Sequence, residues 1–216
     1  MMPLGDDTRH PSRIPVVTTA IIAVNAVVFL LELLSGDAFI ARWAMVPHDI
    51  SSGHHLETIL TGMFMHASWS HIIGNMIFLW AFGPELEDAM GGTGYLVFYL
   101  LGGVAAAFAQ VALDPGSTVP NLGASGAIAA VMGGFMVTYP RDRIRTLVFF
   151  GYFVDVAFLP AALLIGVWFL TQLVSLGTVA ESDTGGVAYM AHIGGLLFGV
   201  VTARLFEWPH ARLDQS

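Results

Sequence analysis

Ser125-Gly126-Ala127-Ile128-Ala129-Ala130-Val131-Met132-Gly133-Gly134-Phe135-Met136-Val137-Thr138-Tyr139 carries no charged side chain, and Gly or Ala fills six of its first ten positions. A helix over 126–139 is apolar on every face, so its surroundings are lipid or other apolar helices. Ser125 stands at the mouth of that helix. His71 and Asn75 open a second apolar segment and His192 a third. Polar groups inside a bilayer cost free energy unless paired, so four of them at segment mouths point to function.

The whole chain shares this character. Of its 216 residues 56% are hydrophobic and 11% charged, and no Lys is present. A water-soluble domain of this size needs far more charge, which makes this an integral membrane protein. A crossing takes about 20 mostly apolar residues. Six segments qualify: 16–34, 70–89, 94–113, 126–139, 160–176 and 187–206, with Gly83 and Pro84 interrupting the second near Glu85 and Glu87. The expected fold is an all-α bundle of six transmembrane helices over 16–206. Residues 1–15 are expected to form a disordered tail and 207–216 a second short one. The first segment has full spanning length and no small-residue cleavage site, so it should remain as a helix.

Composition also excludes. The chain has no Cys, which removes disulfides, thiolate catalysis and Cys-ligated metals. Its net charge of -8 is dispersed over loops, and no basic patch with interleaved aromatics argues for nucleic acid. No metal or cofactor is expected. His48, His54 and His55 fall in the long first loop and read as solvated; His66 reads as structural. Phe39 to Met45 suggests a short amphipathic helix in the interface, and Asn25 and Glu32 read as an interhelical hydrogen-bonder and an interfacial acid.

Arginine placement orients the bundle. Arg9, Arg13, Arg141, Arg143, Arg145, Arg204 and Arg212 all fall on one side of six crossings, and only Arg42 on the other. The positive-inside rule puts both termini in the cytoplasm, and a plasma membrane fits best. The run from Arg141 to Arg145 reads as an ordinary connecting loop.

Depth follows from counting. Ser125 to Arg141, His192 to Trp208 and His71 to Glu87 are each 16 residues. At 1.5 Å per residue each polar group sits about 24 Å above the inner boundary, in one plane near the outer surface. His71 and Asn75 are four apart and share a face. His192, Gly195 and Gly199 share another, and a Gly-x-x-x-Gly face against the small-residue helix allows close backbone approach. His192 then reaches Ser125.

The chemistry this supports is acyl transfer by an activated serine, with His192 as general base and acid. No acid is placed to orient His192, since neither Asp155 nor Asp183 has a route to it, so a Ser–His dyad is expected. His71, Asn75 and the Ser125 backbone N–H suit an oxyanion hole. A transporter would use polar groups at several depths, often with internal repeats, and a bis-histidine haem site would leave Ser125 and Asn75 unexplained.

Four stretches in order resemble the rhomboid family of intramembrane serine proteases. His66-Ala67-Ser68-Trp69-Ser70-His71-Ile72-Ile73-Gly74-Asn75 is similar to its paired-histidine stretch ending in His-x-x-x-Asn. Gly123-Ala124-Ser125-Gly126 matches its Gly-x-Ser-Gly, and Ala191-His192-Ile193-Gly194-Gly195 with Gly199 matches its Ala-His-x-x-Gly-x-x-x-Gly. Ala41-Arg42-Trp43 resembles its Trp/Arg-bearing first loop. The resemblance implies Ser125 as nucleophile, His192 as base, His71 and Asn75 as oxyanion donors, His66, Arg42 and Trp43 as structural residues, and Glu87 tying the inner end of the second segment. It implies cleavage of single-span membrane proteins near the outer leaflet, at small residues in helix-weakening sequence. The gate is expected at the outer half of the fifth segment with Trp168 and Phe169, and at 177–186 with Gly185 and Gly186. A rhomboid-like protein that binds membrane helices without cutting them is the alternative, and it would lack the serine or histidine. One position departs: many members carry an aromatic one turn after the serine, stacked on the histidine, where this chain has Ala129.

Overall fold

The apolar segments are helical in the computed structural model, which describes residues 1–150, 153–179 and 188–208. They form α1 (Val16–Ser35), α5 (Trp69–Met90), α6 (Gly92–Leu113), α7 (Ser125–Thr138), α8 (Ala161–Val179) and α9 (Tyr189–Phe206). Three of these, α1, α6 and α9, are long and apolar enough to cross a membrane; α7 and Ala161–Val174 are shorter apolar helices. α5 runs unbroken through Gly83 and Pro84. Between α1 and α5 lie the short helices α2 (Asp37–Trp43), α3 (Pro47–Ser51) and α4 (Thr58–Thr61).

α7 is the axis of the molecule. Nearly every side chain from Gly126 to Phe135 is buried, with α5, α6 and α9 around it. Its contact with α9 is backbone against backbone. A Cβ added at Gly195 would run into the Gly126 carbonyl, and one at Gly199 into the Ala130 carbonyl and the Gly134 nitrogen. Phe82, Tyr95, Phe98, Tyr99 and Phe135 fill the layer below the serine. α5 is tied to α1 by Glu87, whose two carboxylate oxygens accept from the Val17 and Thr18 nitrogens at 2.9 and 2.7 Å. A carboxylate there satisfies two donors that the first turn of α1 leaves free.

The fold is not all-α. Among the described residues, β1 (Met2–Asp6), β2 (Arg143–Phe150) and β3 (Phe153–Pro160) make an antiparallel sheet in the order β1-β2-β3. The run expected as a simple Arg141–Arg145 loop therefore enters a strand. Side chains of β2 alternate at its base, with Arg143 and Arg145 exposed and Ile144 and Thr146 buried, and β-branched and aromatic residues favour such a pleated surface.

Nor are residues 1–15 a disordered tail. Met2 pairs with Leu147 and Asp6 with Ile144, Arg9 Nε bonds Asp142 at 3.0 Å, and Ser12 bonds Asp88 at 2.9 Å. An edge strand leaves backbone donors and acceptors open, and a neighbouring extended segment satisfies them. Of the closing tail, Glu207 is buried and accepts from Thr138 at 2.7 Å, while the Trp208 nitrogen donates to Ala89 O at 3.0 Å. Residues 209–216 lie outside the described residues.

Two polar side chains of α1 are also placed. Asn25 donates within its own helix, to Ile21 O at 2.8 Å, and its side chain also faces the Tyr99 hydroxyl of α6. Glu32, near the end of α1, is buried and accepts the His66 backbone N–H at 3.1 Å on both oxygens.

β1 ends on a titratable joint. Burial, with the neighbouring Asp142 carboxylate adding to it, pushes Asp6 up from 3.8 to about 6. A raised carboxyl pKa stabilises the docked strand fully below 3.8, and that contribution is lost as pH rises through about 6. A spin label at Met2 should therefore gain mobility as pH rises from about 4 to about 7. In Asp6→Asn the label should stay immobile throughout; a transition unchanged by that substitution would assign it elsewhere.

Candidate active site

Three helices begin side by side, and each brings a polar residue with it. Ser125 is the first residue of α7, His192 the fourth of α9 and His71 the third of α5. The Ser68 hydroxyl caps α5 by accepting from the His71 nitrogen at 3.2 Å. The chain enters α7 through Gly123, whose φ of +139° is strained for any other residue. A Cβ there would also lie 2.9 Å from the His71 ring. Glycine thus gives both the turn into the serine and the room for the histidine.

The serine and histidine meet. His192 Nε2 lies 2.7 Å from Ser125 Oγ, and its Nδ1 lies 2.7 Å from Gln172 Oε1 on α8. The Gln172 Nε2 is directed at Thr171 Oγ1, 3.1 Å away, and at the Trp168 carbonyl, which leaves Oε1 facing the imidazole. An amide oxygen only accepts, so Nδ1 carries the proton and Nε2 is left to accept from the serine hydroxyl. The pairing is buried, His192 being 8% and Gln172 9% exposed, which keeps competing water off the Nδ1–H.

Gln172 answers the search for an orienting acid: a neutral amide fills that place. Asp155 is exposed on β3, and Asp183 lies outside the described residues. Trp168, one turn before Gln172, packs against the His192 ring at 5.5 Å with the planes tilted by 42°, and Tyr189 meets it edge-on at 6.4 Å. The aromatic contact missing at Ala129 is thus supplied from α8. Gln172 was legible as an uncharged polar residue inside an apolar segment. Attention to carboxylates alone passes over it.

Around the pair lies a cavity of about 490 Å³ that His71, Asn75, Phe78, Met132 and Trp168 also line. Asn75 is buried, and its Nδ2 has no partner among the described residues. A buried amide donor without an acceptor, on a residue that lines the cavity, is expensive unless something arrives to accept from it. The Ser125 N–H, at the start of α7, is another such donor. His66 is buried with its ring edge-on to His71 at 5.1 Å, holding that ring from behind.

Other expected positions are peripheral. Arg42 pairs with Glu57 at 3.2 Å and covers the Trp43 ring at 4.5 Å, fastening the outer loop. His48, His54 and His55 are exposed. Trp168 reaches the cavity wall; of the expected gate loop, residues 180–187 with Gly185 and Gly186 lie outside the described residues.

Ser125, His192, His71 and Asn75 thus line one cavity at the starts of α5, α7 and α9. Residues 53–208 match the family profile described as Rhomboid domain, and the chain belongs to the rhomboid family of membrane proteins. It is 29% identical over 192 residues to the mouse presenilin-associated rhomboid-like protein, mitochondrial, covering 84% of this chain and 46% of that one. Rhomboid protein 1, mitochondrial, of Saccharomyces cerevisiae is 26% identical over 206 residues, with 92% and 54% covered. Rhomboid-like protein 11, chloroplastic, of Arabidopsis thaliana is 31% identical over 166 residues, with 73% and 55% covered. The chain spans about half the length of these relatives.

They correct one expectation. The relatives are mitochondrial and chloroplastic proteins, which overturns the plasma-membrane assignment. Arginine asymmetry orients a bundle within a membrane and does not identify which membrane that is.

Proposed function

We propose that this chain is an intramembrane serine endopeptidase acting through Ser125 and His192. The observation that carries it is the 2.7 Å contact between His192 Nε2 and Ser125 Oγ inside an apolar bundle. Lacking a substrate, a buried serine–histidine pair beside an unpartnered amide donor stabilises nothing that apolar packing would not do better. All six long helices cross the membrane, with both termini on the arginine-bearing face. α7 has 14 residues and rises about 21 Å, less than the roughly 30 Å core, which keeps Ser125 below the opposite surface.

In the first step His192 Nε2 takes the Ser125 proton as Oγ attacks the scissile carbonyl carbon. The developing oxyanion accepts from the Asn75 amide, the His71 ring and the Ser125 N–H. Collapse passes the proton from Nε2 to the leaving amine. Water then repeats the sequence on the acyl-enzyme, releasing the acid and restoring Oγ–H. Gln172 holds the imidazolium through its Nδ1–H, and Trp168 packs its face. The substrate is the spanning helix of another membrane protein, unwound near the leaflet opposite the termini, because an intact helix hides its carbonyls.

Purified protein should be labelled by a fluorophosphonate at Ser125, located by mass spectrometry, and should cleave a single-span reporter. Labelling elsewhere, or none, would sink the nucleophile assignment. Gln172→Leu should lower kcat about tenfold to a hundredfold with KM unchanged, the range for a hydrogen bond to a charged group. Gln172→Glu should restore the rate and move the ascending, acidic limb of the kcat/KM profile to higher pH, since a carboxylate favours the imidazolium and His192 must lose that proton to act as base. A Glu variant as slow as Leu, with an unshifted profile, would make Gln172 merely a packing residue.

A further inference from the structure

The sheet stands beside the site. Pro3 and Leu4 of β1 lie against Trp69, Ile73, Met76 and Trp80, on the half of α5 that carries His71 and Asn75. Val148 and Leu159 of the β2–β3 hairpin face Leu163, Leu164 and Val167 of α8 across an apolar cavity of about 500 Å³. The sheet therefore bridges α5 and α8, the two helices that supply Asn75 and Trp168 to the Ser125 cavity. A membrane helix that approaches Ser125 between α5 and α8 meets this sheet first.

β1 is a poor occupant of its place. Its ladder with β2 runs from Ile144 to Leu147 and is held at its base by the Asp7 nitrogen on the Arg143 carbonyl at 2.9 Å. Toward Met2, however, its register shifts between Pro3 and Gly5, and Pro3 has no N–H to donate. Val148 to Phe150 extend the β2 edge past the end of that pairing. At membrane depth no water is available to satisfy a strand edge, so a partner of some kind must cover it. An unwound substrate segment faces the same deficit, with its own N–H and C=O groups stripped of helical partners. Each needs what the other offers.

We propose that the β2 edge is the docking strand for the unwound segment of the substrate, and that residues 2–6 are its resting occupant, displaced as substrate enters. The inference rests on the proteolytic reading of Ser125. Strand addition supplies backbone hydrogen bonds that do not depend on the identity of the guest side chains. The guest is an extended apolar stretch rich in β-branched residues, laid with alternate side chains toward α5.

The cysteine-free chain makes the test direct. In an otherwise full-length Ser125→Ala, Leu147→Cys protein, residues 2–6 are replaced by a Gly/Ser linker. A single-span reporter carrying one cysteine at successive positions is added in vesicles. Disulfide adducts should appear at every second reporter position, and should be weak when β1 is intact. Adducts repeating every three or four positions, or none, would overturn the proposal, and this readout needs no catalysis. Separately, Met2→Cys with Leu147→Cys ties β1 down, since facing residues of an antiparallel pair lie within disulfide reach. The oxidised enzyme should lose reporter cleavage and regain it on reduction, with fluorophosphonate labelling of Ser125 equal in both states. Cleavage at the reduced rate while oxidised would also overturn it. Absent labelling in both states would count against the protease instead, and the adduct pattern would still decide the docking strand.

Discussion

Ser125→Ala and His192→Ala are each expected to bring cleavage of a single-span reporter to background, and the double variant to be no worse than either alone. On the proposed mechanism nucleophile and base act as one unit: Ser125 Oγ has no other base at hydrogen-bond distance among the described residues, and His192 Nε2 has no other proton to take. Removing one member of such a unit loses on the order of 10⁶ in rate in a soluble serine protease. A dyad starts from a smaller advantage, so either loss is complete in practice. Asn75→Ala is expected to be milder, on the order of 10²–10³, because the hole keeps its other donors. Additive losses in the double variant would mean that two independent devices exist. Equal cleavage by all forms would assign the activity to a contaminant.

The second large effect needs no change in the reacting groups. Gly199→Val should abolish both cleavage and fluorophosphonate labelling, and Gly195→Val should do nearly as much. The new side chain meets the Ala130 carbonyl and Gly134 nitrogen at position 199, and the Gly126 carbonyl at position 195. These are backbone atoms, so no rotamer change makes room, and the helices must part. Overpacking of a tight core typically costs about 1–3 kcal/mol. The functional loss is larger, because a separation of about 1 Å lengthens the Ser125–His192 bond beyond a usable distance. Gly166→Ala is the control, having nothing within 4 Å of the added Cβ. It should keep full activity and gain about 0.8–1.0 kcal/mol of helix stability. Full labelling in Gly199→Val would show that backbone contact between α7 and α9 does not set the site.

Much of the arrangement was legible before any coordinates. Ser125, His192, His71 and Asn75 stand out because a polar side chain in an apolar segment has few structural uses; spacing from charged and aromatic markers predicts one level for the first three, and Asn75 shares a face with His71. Glycine spacing in α9 and small residues in α7 announced close packing. Gln172 obeys the same rule as the other four and was passed over for lack of a charge. The sheet was missed for a different reason. Its strands carry the alternation of a pleated surface, yet apolar runs of eight residues beside membrane helices read equally well as loop or helix margin. Residues 2–6 carry no usable signal by themselves, since what orders them is the open edge of β2.

By itself, the sequence determined the apolar solvent, the helical segments and the identity of the polar residues that stand at their starts. These follow from composition, hydrophobic run length and a fixed rise per residue, all local quantities. Only the tertiary structure decided what holds His192. Trp168 and Gln172 reach it from α8, 24 and 20 residues away along the chain, and no periodicity within α8 or α9 records that contact. It also decided the course of the first six residues, because a strand edge is satisfied by whichever segment lies beside it, and proximity between residues 2–6 and 144–147 exists only once the helices have packed.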